Sequence, residues 1–343
     1  MDEVEGRLLT ALAEDEAWLV GGALRDELLD RPVVDMDVAC REPQAVAHTF
    51  AREEGGTPFS LSERHGAWRV VLGDGRTVDF TPLPGPIEID LATRDFTINA
   101  MARRIGEADV VDPFGGRADI AARTIRVVSP GVFVVDPLRL LRAIRLEDEL
   151  GFRCDVDTER LIGDHAALAP RPAGERILDE LERLSVAGYL RLDEVGLLAP
   201  LGGSVGLAGR AGLVDSPAYR LVCFLGERLE RLPISRRLGR YARTLLRAEA
   251  PPDGSARATH RFRRATEPWA IDALAFCGAW TFEPEISAAR AAEPAEPLLR
   301  GDELGLPPGP EIGRLLEVIA EERAVGVVST REEALALVRR HAR

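Results

Sequence analysis

Short apolar runs interrupted by acidic residues and glycines dominate the first third of the chain. Residues 17–20 form an apolar run that predicts a buried strand, and residues 33–39 alternate between apolar and acidic positions as a second strand would. Residues 68–72 and 76–80 are two further strand-like runs, and the Gly-Asp-Gly segment between them is typical of a hairpin. The pattern therefore predicts several short strands in this part of the chain.

Later in the chain the apolar positions recur with the spacing of helices. Asp136 suits a helix N-cap with Pro137 at the first helical position, and the leucines that follow would pack inward. Residues 312–320 and 330–338 have the periodicity of two more helices. The glycine content rises over residues 202–212, which marks a hinge or a domain edge.

Two glycines and an arginine follow the first predicted strand, where a phosphate-binding turn would lie. Gly21 and Gly22 let the backbone turn where a side chain would block a ligand. Arg25 lies near the start of the next predicted helix, where free N–H groups and the helix dipole already favour an anion. Its guanidinium would add a forked donor to such a site.

Three aspartates are candidates for a metal site. Asp35 and Asp37 point to the same side of their strand, and two like charges so close repel unless a cation lies between them. Mg²⁺ with oxygen ligands is the expected occupant. Asp79 lies between Val78 and Phe80, so it faces away from the apolar side of its strand and could complete the cluster. Ordinary surface charge in an acidic chain is the alternative that these residues alone leave open.

Composition narrows the classes of protein to consider. At 343 residues the chain is long enough for two or more modules with their own cores. Four scattered cysteines lack a C-x-x-C spacing, which favours reduced thiols over a disulfide framework or a zinc site. The acidic first residues lack an apolar leader, and no run of about 18 apolar residues follows. We therefore expect a cytoplasmic protein with no membrane partner.

Charge restricts how the protein can bind RNA. The formal net charge of −13 opposes non-specific RNA binding through the field of the whole molecule. The chain has no lysine, which excludes a Walker-type phosphate loop. Any RNA contact must therefore be local, and residues 228–264 are the one sizeable basic stretch. A helical stripe there is able to face an RNA backbone, although a solvated amphipathic helix is an equally open interpretation. The stripe consists of Arg236, Arg240, Arg243 and Arg247.

Several motifs together resemble one known family. A Gly-Gly-x-x-Arg-Asp element followed by Asp-x-Asp is represented here by Gly21, Gly22, Arg25, Asp26, Asp35 and Asp37. Residues 93–102 resemble an R-R-D-F-T-x-N-A segment with Thr93 at the place of the first arginine, and residues 174–181 also follow the pattern. These motifs resemble the tRNA nucleotidyltransferase and bacterial poly(A) polymerase family, in its class II branch. The similarity runs with few gaps from about Trp18 to Pro200.

The resemblance implies an α+β fold, with a nucleotidyltransferase head that has a small mixed or antiparallel sheet, followed by an all-α neck, body and tail. The implied domains are a head over residues 1–125, a base-selecting neck over 126–200, an arginine-rich body over 201–270 and a tail over 271–343 with possible contact to tRNA. It also implies template-independent transfer of CMP to tRNA 3′ ends from CTP, with AMP transfer from ATP left open.

Site residues follow from the same resemblance. Asp35, Asp37 and Asp79 would be catalytic and would hold Mg²⁺, activating the terminal hydroxyl for attack on the α-phosphorus and stabilising the leaving pyrophosphate. Arg94 would clamp the triphosphate, because a guanidinium matches phosphate oxygens bidentately. The full set of expected nucleotide-binding residues is Gly21, Gly22, Arg25, Arg94, Asp136, Arg139, Arg142 and Arg145.

Base selection is assigned by the resemblance to a D-x-x-R pair, here Asp136 and Arg139. A carboxylate accepts from an exocyclic amine and an arginine donates to ring acceptors, so the pair would read C and A and would reject G and U. Arg142 and Arg145 would approach phosphate or sugar. The structural alternative is a solvated Asp–Arg pair at i, i+3, which contributes about 0.2–0.5 kcal/mol.

One departure from the family bears on specificity. In the family a mobile loop, usually opened by an arginine, lies between the third carboxylate and the R-R-D segment, and members that add only two cytidines have it shortened. Here only residues 80–93 make that connection, and Pro82, Pro84 and Pro86 restrict it. We therefore predict addition of CC alone; the alternative is a compressed loop in an enzyme that adds all three nucleotides.

Two other functions stay open from the sequence. A poly(A) polymerase would have the same fold, although broad RNA binding profits from a basic surface that this chain lacks. A catalytically inactive RNA-binding relative is the other, although the retained carboxylates and arginines speak against it. The chain has no His-Asp dipeptide, so we expect no appended metal-dependent phosphohydrolase module.

Overall fold

A computed structural model of the chain describes residues 8, 16–33, 35–62, 66–83 and 85–341. It contains two compact units, the first comprising Met1–Glu180 and Arg191–Pro200 and the second Leu181–Leu190 and Leu201–Arg343. The finer division into head, neck, body and tail stays a prediction. Within the described ranges, no helix combines the length and the apolar character that a membrane crossing requires.

A seven-stranded mixed sheet forms the centre of the first unit. Its strands are β1 (Ala17–Val20), β2 (Asp35–Cys40), β3 (Thr57–Ser62), β4 (Ala67–Val71), β5 (Thr77–Pro82), β6 (Ala102–Arg104) and β7 (Val110–Val111). They are arranged in the order β3-β4-β5-β2-β1-β6-β7. β2 and β5 run parallel, and every other neighbouring pair is antiparallel.

Helices cover the two faces of this sheet unequally. In chain order, the helices as far as residue 194 are α1 (Gly22–Leu28), α2 (Pro43–Glu54), α3 (Ile87–Ala92), α4 (Gly116–Ala121), α5 (Val132–Val135), α6 (Leu138–Leu150), α7 (Val156–His165), α8 (Gly174–Glu182) and α9 (Val186–Glu194), and of these α2 and α3 lie on opposite faces of the sheet. α2 packs on one face, where Phe50 meets Phe80 edge-on at 5.8 Å. α3 packs on the other face through Ile87 and Leu91, against Val20 of β1. A short parallel pair, β8 (Thr124–Ile125) and β9 (Arg153–Cys154), lies outside the sheet.

The hairpin predicted from Gly-Asp-Gly is confirmed. β4 and β5 pair antiparallel, and the turn is closed by the Gly75 amide, which donates to the Leu72 carbonyl at 3.0 Å. The Asp74 carboxylate accepts from the Arg76 amide at 3.0 Å, which satisfies a donor that the turn leaves outside the ladder. Local turn chemistry thus specifies the strand pair that carries Asp79.

The second unit is helical. Its further helices are α10 (Ala208–Ala211), α11 (Pro217–Leu225), α12 (Arg236–Leu246), α13 (Ala256–Thr266), α14 (Ala270–Cys277), α15 (Glu283–Ala291), α16 (Pro310–Ala324) and α17 (Arg331–His341). One apolar cluster includes Phe262, Leu274 and Ile286, and another is built around Leu315 and Leu337. A mixed sheet followed by helices confirms the α+β class that the family resemblance implied.

Candidate active site

Two of the predicted carboxylates meet across neighbouring strands. In the parallel pair β2–β5, Asp37 lies directly opposite Asp79, and Asp35 lies opposite Thr77. Residues opposite each other project from the same face of a sheet, so all three carboxylates share one face. The Thr77 hydroxyl donates to Asp35 at 2.5 Å. The pairing of two distant strands therefore assembles the acidic cluster.

Gly21 brings the start of α1 against this cluster. Its φ of 73° lies in the region that favours glycine. An added Cβ there would lie only 2.8 Å from the Asp37 Oδ2 and 3.0 Å from the Arg94 Nη1. A side chain at position 21 would therefore collide with a carboxylate and a guanidinium that were both predicted to act on the nucleotide. The absence of a Cβ is what lets strand, helix and arginine converge.

A cavity of about 210 Å³ opens at this convergence, within the first unit. Seven of the predicted nucleotide-binding or catalytic residues line it: Gly21, Gly22, Asp37, Arg94, Asp136, Arg139 and Arg142. The other four lining residues, for which the sequence predicted no ligand role, are Asp95, Asn99, Leu138 and Arg176. Asp35, Asp79, Arg25 and Arg145 were predicted site residues that do not line the cavity.

Arg94, which follows the C-terminal end of α3, is held in place by a residue of that helix. The Asp90 carboxylate of α3 accepts from the Arg94 Nε and Nη2 at 3.1 and 2.9 Å, four residues apart. The remaining nitrogen, Nη1, is the one near Gly21. A guanidinium fixed along one edge presents its other donors in a defined direction, which suits a phosphate oxygen.

Burial and neighbouring charges have opposing effects on the pKa of Asp37. Burial raises the pKa of Asp37, and the neighbouring Asp79 and Asp35 carboxylates raise it further, while Arg94 and Arg142 act in the opposite direction. The raised pKa means that burial and like charges outweigh the two arginines. A carboxylate in such surroundings gains from an additional nearby cation.

The two predicted base-reading residues are engaged by different partners. Arg176 of α8 donates to both oxygens of Asp136, at 2.8 and 3.4 Å. Arg139 instead donates to the backbone carbonyls of Thr93 and Arg94, at 2.8 and 3.4 Å. Burial alone would raise the pKa of Asp136, but Arg176 and the Leu138 amide lower it below its ordinary value. Asp136 is therefore held as a carboxylate, the form that accepts hydrogen bonds.

A chain of polar contacts runs from Arg142 through Asp95 and Asn99, which line the cavity, to Arg25. Arg142 approaches Asp95 with Nε and Oδ2 2.7 Å apart, and Asp95 raises the pKa of Arg142. Asp95 also accepts from the Asn99 Nδ2 at 3.0 Å. The Asn99 Oδ1 in turn accepts from the Arg25 Nη1 at 2.9 Å. The chain links α1 to α6 through two residues of the R-D-F-T-x-N-A segment.

Arg25 and Arg145 depart from the interpretation made from the sequence. Arg25 is only 6% exposed and binds Asn99 and its neighbour Asp26, so it positions Asn99 instead of lining the cavity. Arg145 is buried against Glu180 and pairs with Glu149. In the structure Arg145 thus joins α6 to α8, and the predicted nucleotide contact of Arg145 stays a prediction. Successive steps of three residues rotate a helical stripe steadily, and at Arg145 the rotation has carried the side chain away from Asp136.

In the structure, Asp35 and Asp79 accept hydrogen bonds from neighbouring side chains. Arg69 of β4 donates through Nε and Nη2 to the two oxygens of Asp79, at 2.6 and 2.7 Å. Among the described residues, no group of three His, Cys, Asp or Glu side chains is arranged to hold a metal ion. The donor set nevertheless has the oxygen chemistry that Mg²⁺ prefers, on one face and in direct register. Each Asp79 oxygen has a second lone pair, so the carboxylate can bind a cation while Arg69 holds it in place.

The predicted arginine stripe lies on α12 of the second unit. All four members are exposed, while Tyr241 and Leu245 face the interior. Arg243 pairs with Glu230 at 3.0 Å. Arg240, Arg243 and Arg247 line an open cavity of about 990 Å³. Its lining also includes Arg257, Arg261 and Trp269.

Segment 83–93 contains a helix that was not expected. α3 takes up residues 87–92, with Leu83, Ile87 and Leu91 buried. Pro82 ends β5 and Pro86 is the N-cap residue of α3. Pro84, the position that replaces the family's arginine, lies outside the described residues.

Comparison with known proteins gives consistent results. The family described as "Poly A polymerase head domain" matches residues 17–85 and 75–126. A CC-adding tRNA nucleotidyltransferase from Geobacter sulfurreducens is 49% identical over 49% of this chain and 40% of its own length. A crystal structure of the Bacillus stearothermophilus CCA-adding enzyme in complex with CTP is 26% identical, with a TM-score of 0.76 over 100% of this chain and 98% of that one.

One relative is similar over nearly its whole length. The A-adding tRNA nucleotidyltransferase from Deinococcus radiodurans is 33% identical over 95% of both chains. That similarity covers the sheet, the cavity and the helical second unit together, so it extends well beyond the head. This chain therefore belongs to the tRNA nucleotidyltransferase family.

Proposed function

We propose that this protein transfers CMP from CTP to the 3′ ends of tRNA without a nucleic-acid template and releases pyrophosphate. The observation that carries the proposal is the cavity in which Asp37 faces Arg94, Arg142 and the Asp136–Arg139 pair. The names of the two relatives support tRNA as the acceptor, and the name of the solved structure supports CTP. We place the reaction in the cytoplasm, in keeping with four cysteines that form no disulfide.

Different residues of the cavity would recognise the triphosphate and the base. Arg94 would bind the triphosphate through the donor that Asp90 leaves unoccupied. Asp136 would accept from the amine of cytosine, and Arg139 would donate to its ring acceptors. Both are already positioned by protein groups, and Asp136 has further lone pairs and Arg139 further N–H groups with which to bind a base. A base that cannot form these hydrogen bonds would leave polar groups of the site unpaired, which gives a reason for its rejection.

We propose Mg²⁺ as the metal and Asp35, Asp37 and Asp79 as its ligands. The register of β2 and β5 supports this assignment, since it places the three carboxylates on one face, where a cation would relieve their mutual repulsion. When bound, Mg²⁺ would compensate the charge of the triphosphate and acidify the attacking hydroxyl. Of these three carboxylates, Asp37 is the one that lines the cavity together with Arg94, Asp136 and Arg139.

The first experiment measures CMP transfer and pyrophosphate release with tRNA that lacks its 3′ end, labelled CTP and Mg²⁺. We expect one pyrophosphate for each CMP added, and we expect Asp35→Ala to abolish both. Asp109→Ala is the matched control, because Asp109 is exposed and lies outside the cavity. No transfer by the natural protein would contradict the function, whereas substantial transfer by Asp35→Ala would contradict the metal assignment.

We also propose that the protein adds two cytidines and leaves the terminal adenosine to another enzyme. The segment that is a mobile loop in the family is here largely the helix α3, whose Leu91 is 0% exposed. Moving this segment would expose the apolar side chains that pack on Val20 and Ala39. The relatives carry different names, CC-adding and A-adding, so this proposal rests on α3.

The poly(A) polymerase alternative has narrower support. The matching family description covers residues 17–126, whereas the similarity to a tRNA nucleotidyltransferase extends over 95% of the chain. ATP alone with an arbitrary RNA separates the two activities. A long untemplated A tail would overturn the assignment to tRNA; a product extended by two cytidines and no further, with CTP and ATP both present, supports it.

A further inference from the structure

The sheet face that carries the carboxylates is covered only in part. α3 covers the portion formed by β1 and β2, where Val20 and Ala39 are buried. Toward β3 the cover ends, and Val71 and Phe59 are 37% and 42% exposed. As far as the described residues of the first unit extend, an apolar surface beside the carboxylate cluster therefore stays open.

Phe59 lies in the same row as the catalytic carboxylates. Phe59 is opposite Arg69, Arg69 is opposite Asp79, and Asp79 is opposite Asp37. Because directly opposed residues project from one face, the ring, the guanidinium and the two carboxylates share that face. Neighbouring strands are about 4.8 Å apart, so Phe59 lies about 10 Å from Asp79 along the row.

The exposure of Phe59 is not explained by packing. The aromatic residues Phe50 and Phe80 of the same unit are fully buried. No ring contact involves Phe59 within the part of the chain that the structure describes. A phenylalanine in this position contributes little to the core, which leaves its aromatic face available to a ligand.

We propose that Phe59 is a stacking platform for a base of the single-stranded 3′ end of the acceptor RNA. The proposal rests on the proposed function, which requires that end to reach Asp37 and Asp79. A base on Phe59 would belong to a nucleotide upstream of the reacting one, because the ring is two strands away from Asp79. Phe59 would thus position the acceptor without touching the reacting atoms.

Stacking suits the charge of this surface. Three carboxylates lie on this face, and Arg69, the cation in the Phe59 row, is already paired with Asp79. Electrostatic attraction of a phosphate backbone is therefore weak at this place. Stacking of a base on an aromatic ring needs no net charge and tolerates every base, which suits an acceptor end whose sequence changes as nucleotides are added.

A second copy of the chain is the competing occupant, since β3 is an edge strand of the sheet. Such pairing would use the free backbone groups of β3, whereas the Phe59 ring projects from the face. The row leads directly to the carboxylates, and this continuity favours the RNA end.

The test compares Phe59→Ala, Phe59→Leu and Phe59→Trp. We expect Phe59→Ala and Phe59→Leu to raise KM for tRNA lacking its 3′ end by about 5- to 150-fold, the range that loss of one base–aromatic stack implies. Phe59→Trp should stay near the natural value, and KM for CTP and kcat at saturating tRNA should not change. Leu61→Ala is the matched control, because Leu61 lies on the same strand and is 43% exposed but has no ring.

A second readout does not depend on transfer. The fluorescence of 2-aminopurine, placed near the 3′ end of a short oligoribonucleotide, should be quenched on binding to the natural protein and to Phe59→Trp. Binding to Phe59→Ala should leave the fluorescence unquenched. Quenching of this kind in a protein that transfers no CMP would overturn the proposed function while retaining the stacking site. If Phe59→Leu had the same KM for tRNA as the natural protein, a simple apolar contact would replace stacking as the explanation. A shift from dimer to monomer in Phe59→Ala, with KM for tRNA unchanged, would show that the surface binds a second copy.

Discussion

At the scale of single residues, the cavity consists of charged side chains that already have protein partners. Arg94 is bound by Asp90, Asp136 by Arg176 and Arg142 by Asp95. Such contacts restrict each group to one orientation before a ligand arrives, which lowers the entropic cost of recognition. The site therefore depends on positioning residues as much as on those that would touch the nucleotide.

Gly21→Ala tests the closest approach in the site. The new Cβ would lie 2.8 Å from the Asp37 Oδ2, at a backbone φ of 73°. We expect loss of CMP transfer at saturating CTP, together with a decrease of about 1–3 kcal/mol in the free energy of unfolding. Transfer assays and chemical denaturation measure the two effects.

Gly55→Ala is the control for Gly21→Ala. Gly55 has a φ of 72°, but no atom lies within 4 Å of the position that its Cβ would occupy. The control should lose stability through backbone strain and keep transfer activity. Equal loss of transfer in both variants would show that global stability, and not the collision at Asp37, limits activity.

Asp136→Ala and Arg139→Ala test base selection. Loss of a bidentate base contact costs about 1–3 kcal/mol of discrimination, so the preference for CTP over UTP should fall by about 5- to 150-fold. Measured kcat/KM values for all four triphosphates give this ratio. Arg160→Ala is the control, since Arg160 pairs with Asp157 and Asp164 on exposed α7. An equal loss with every triphosphate, and no gain in use of UTP or GTP, would contradict the template role.

At the scale of secondary-structure elements, local sequence patterns predicted single strands and turns, but they did not predict which distant strands pair. β1 coincides with the apolar run at residues 17–20, and the Gly-Asp-Gly turn correctly predicted the hairpin. The register of Asp37 with Asp79 comes from a parallel pairing of strands that lie about 40 residues apart, which no local pattern encodes. The role of Arg176 was missed for the same reason, because its partner Asp136 lies 40 residues earlier in the chain, between α5 and α6.

α3 also carries a testable role in positioning Arg94. Asp90→Ala would release two of the three guanidinium nitrogens and leave Arg94 free to turn toward Asp37. We expect KM for CTP to rise by about 3- to 30-fold, with KM for tRNA unchanged. Glu88→Ala is the control, because Glu88 is exposed on the same helix. A lower KM for CTP in Asp90→Ala would mean that Asp90 competes with the triphosphate for Arg94.

At the scale of the whole molecule, an acidic protein has to bind an acidic substrate. The net charge of −13 repels tRNA at long range, so attraction depends on local basic surfaces such as α12. Three of the exposed arginines of α12 and its C-terminal end border an open cavity of about 990 Å³ in the second unit. We propose that this surface contacts the phosphate backbone of tRNA.

The double variant Arg240→Glu with Arg247→Glu tests this surface. Each lost phosphate contact should weaken tRNA binding and reduce the salt dependence of affinity by about one unit of slope, so about two units are expected. KM for CTP should not change. Arg52→Glu with Arg160→Glu is the charge-matched control, with both arginines exposed in the first unit. A salt dependence that falls equally in both double variants would contradict a specific contact at α12.

The most direct measurement of the central claim gives the purified protein two tRNAs, one lacking its 3′ end and one already ending in CC. Each is supplied with CTP, ATP or both, in the presence of Mg²⁺. We predict addition of two cytidines to the first tRNA, no AMP addition to the second, and no product with Asp35→Ala. Efficient AMP addition to the CC-ended tRNA would contradict CC specificity, and failure to add CMP to the first tRNA would contradict nucleotidyl transfer at this cavity.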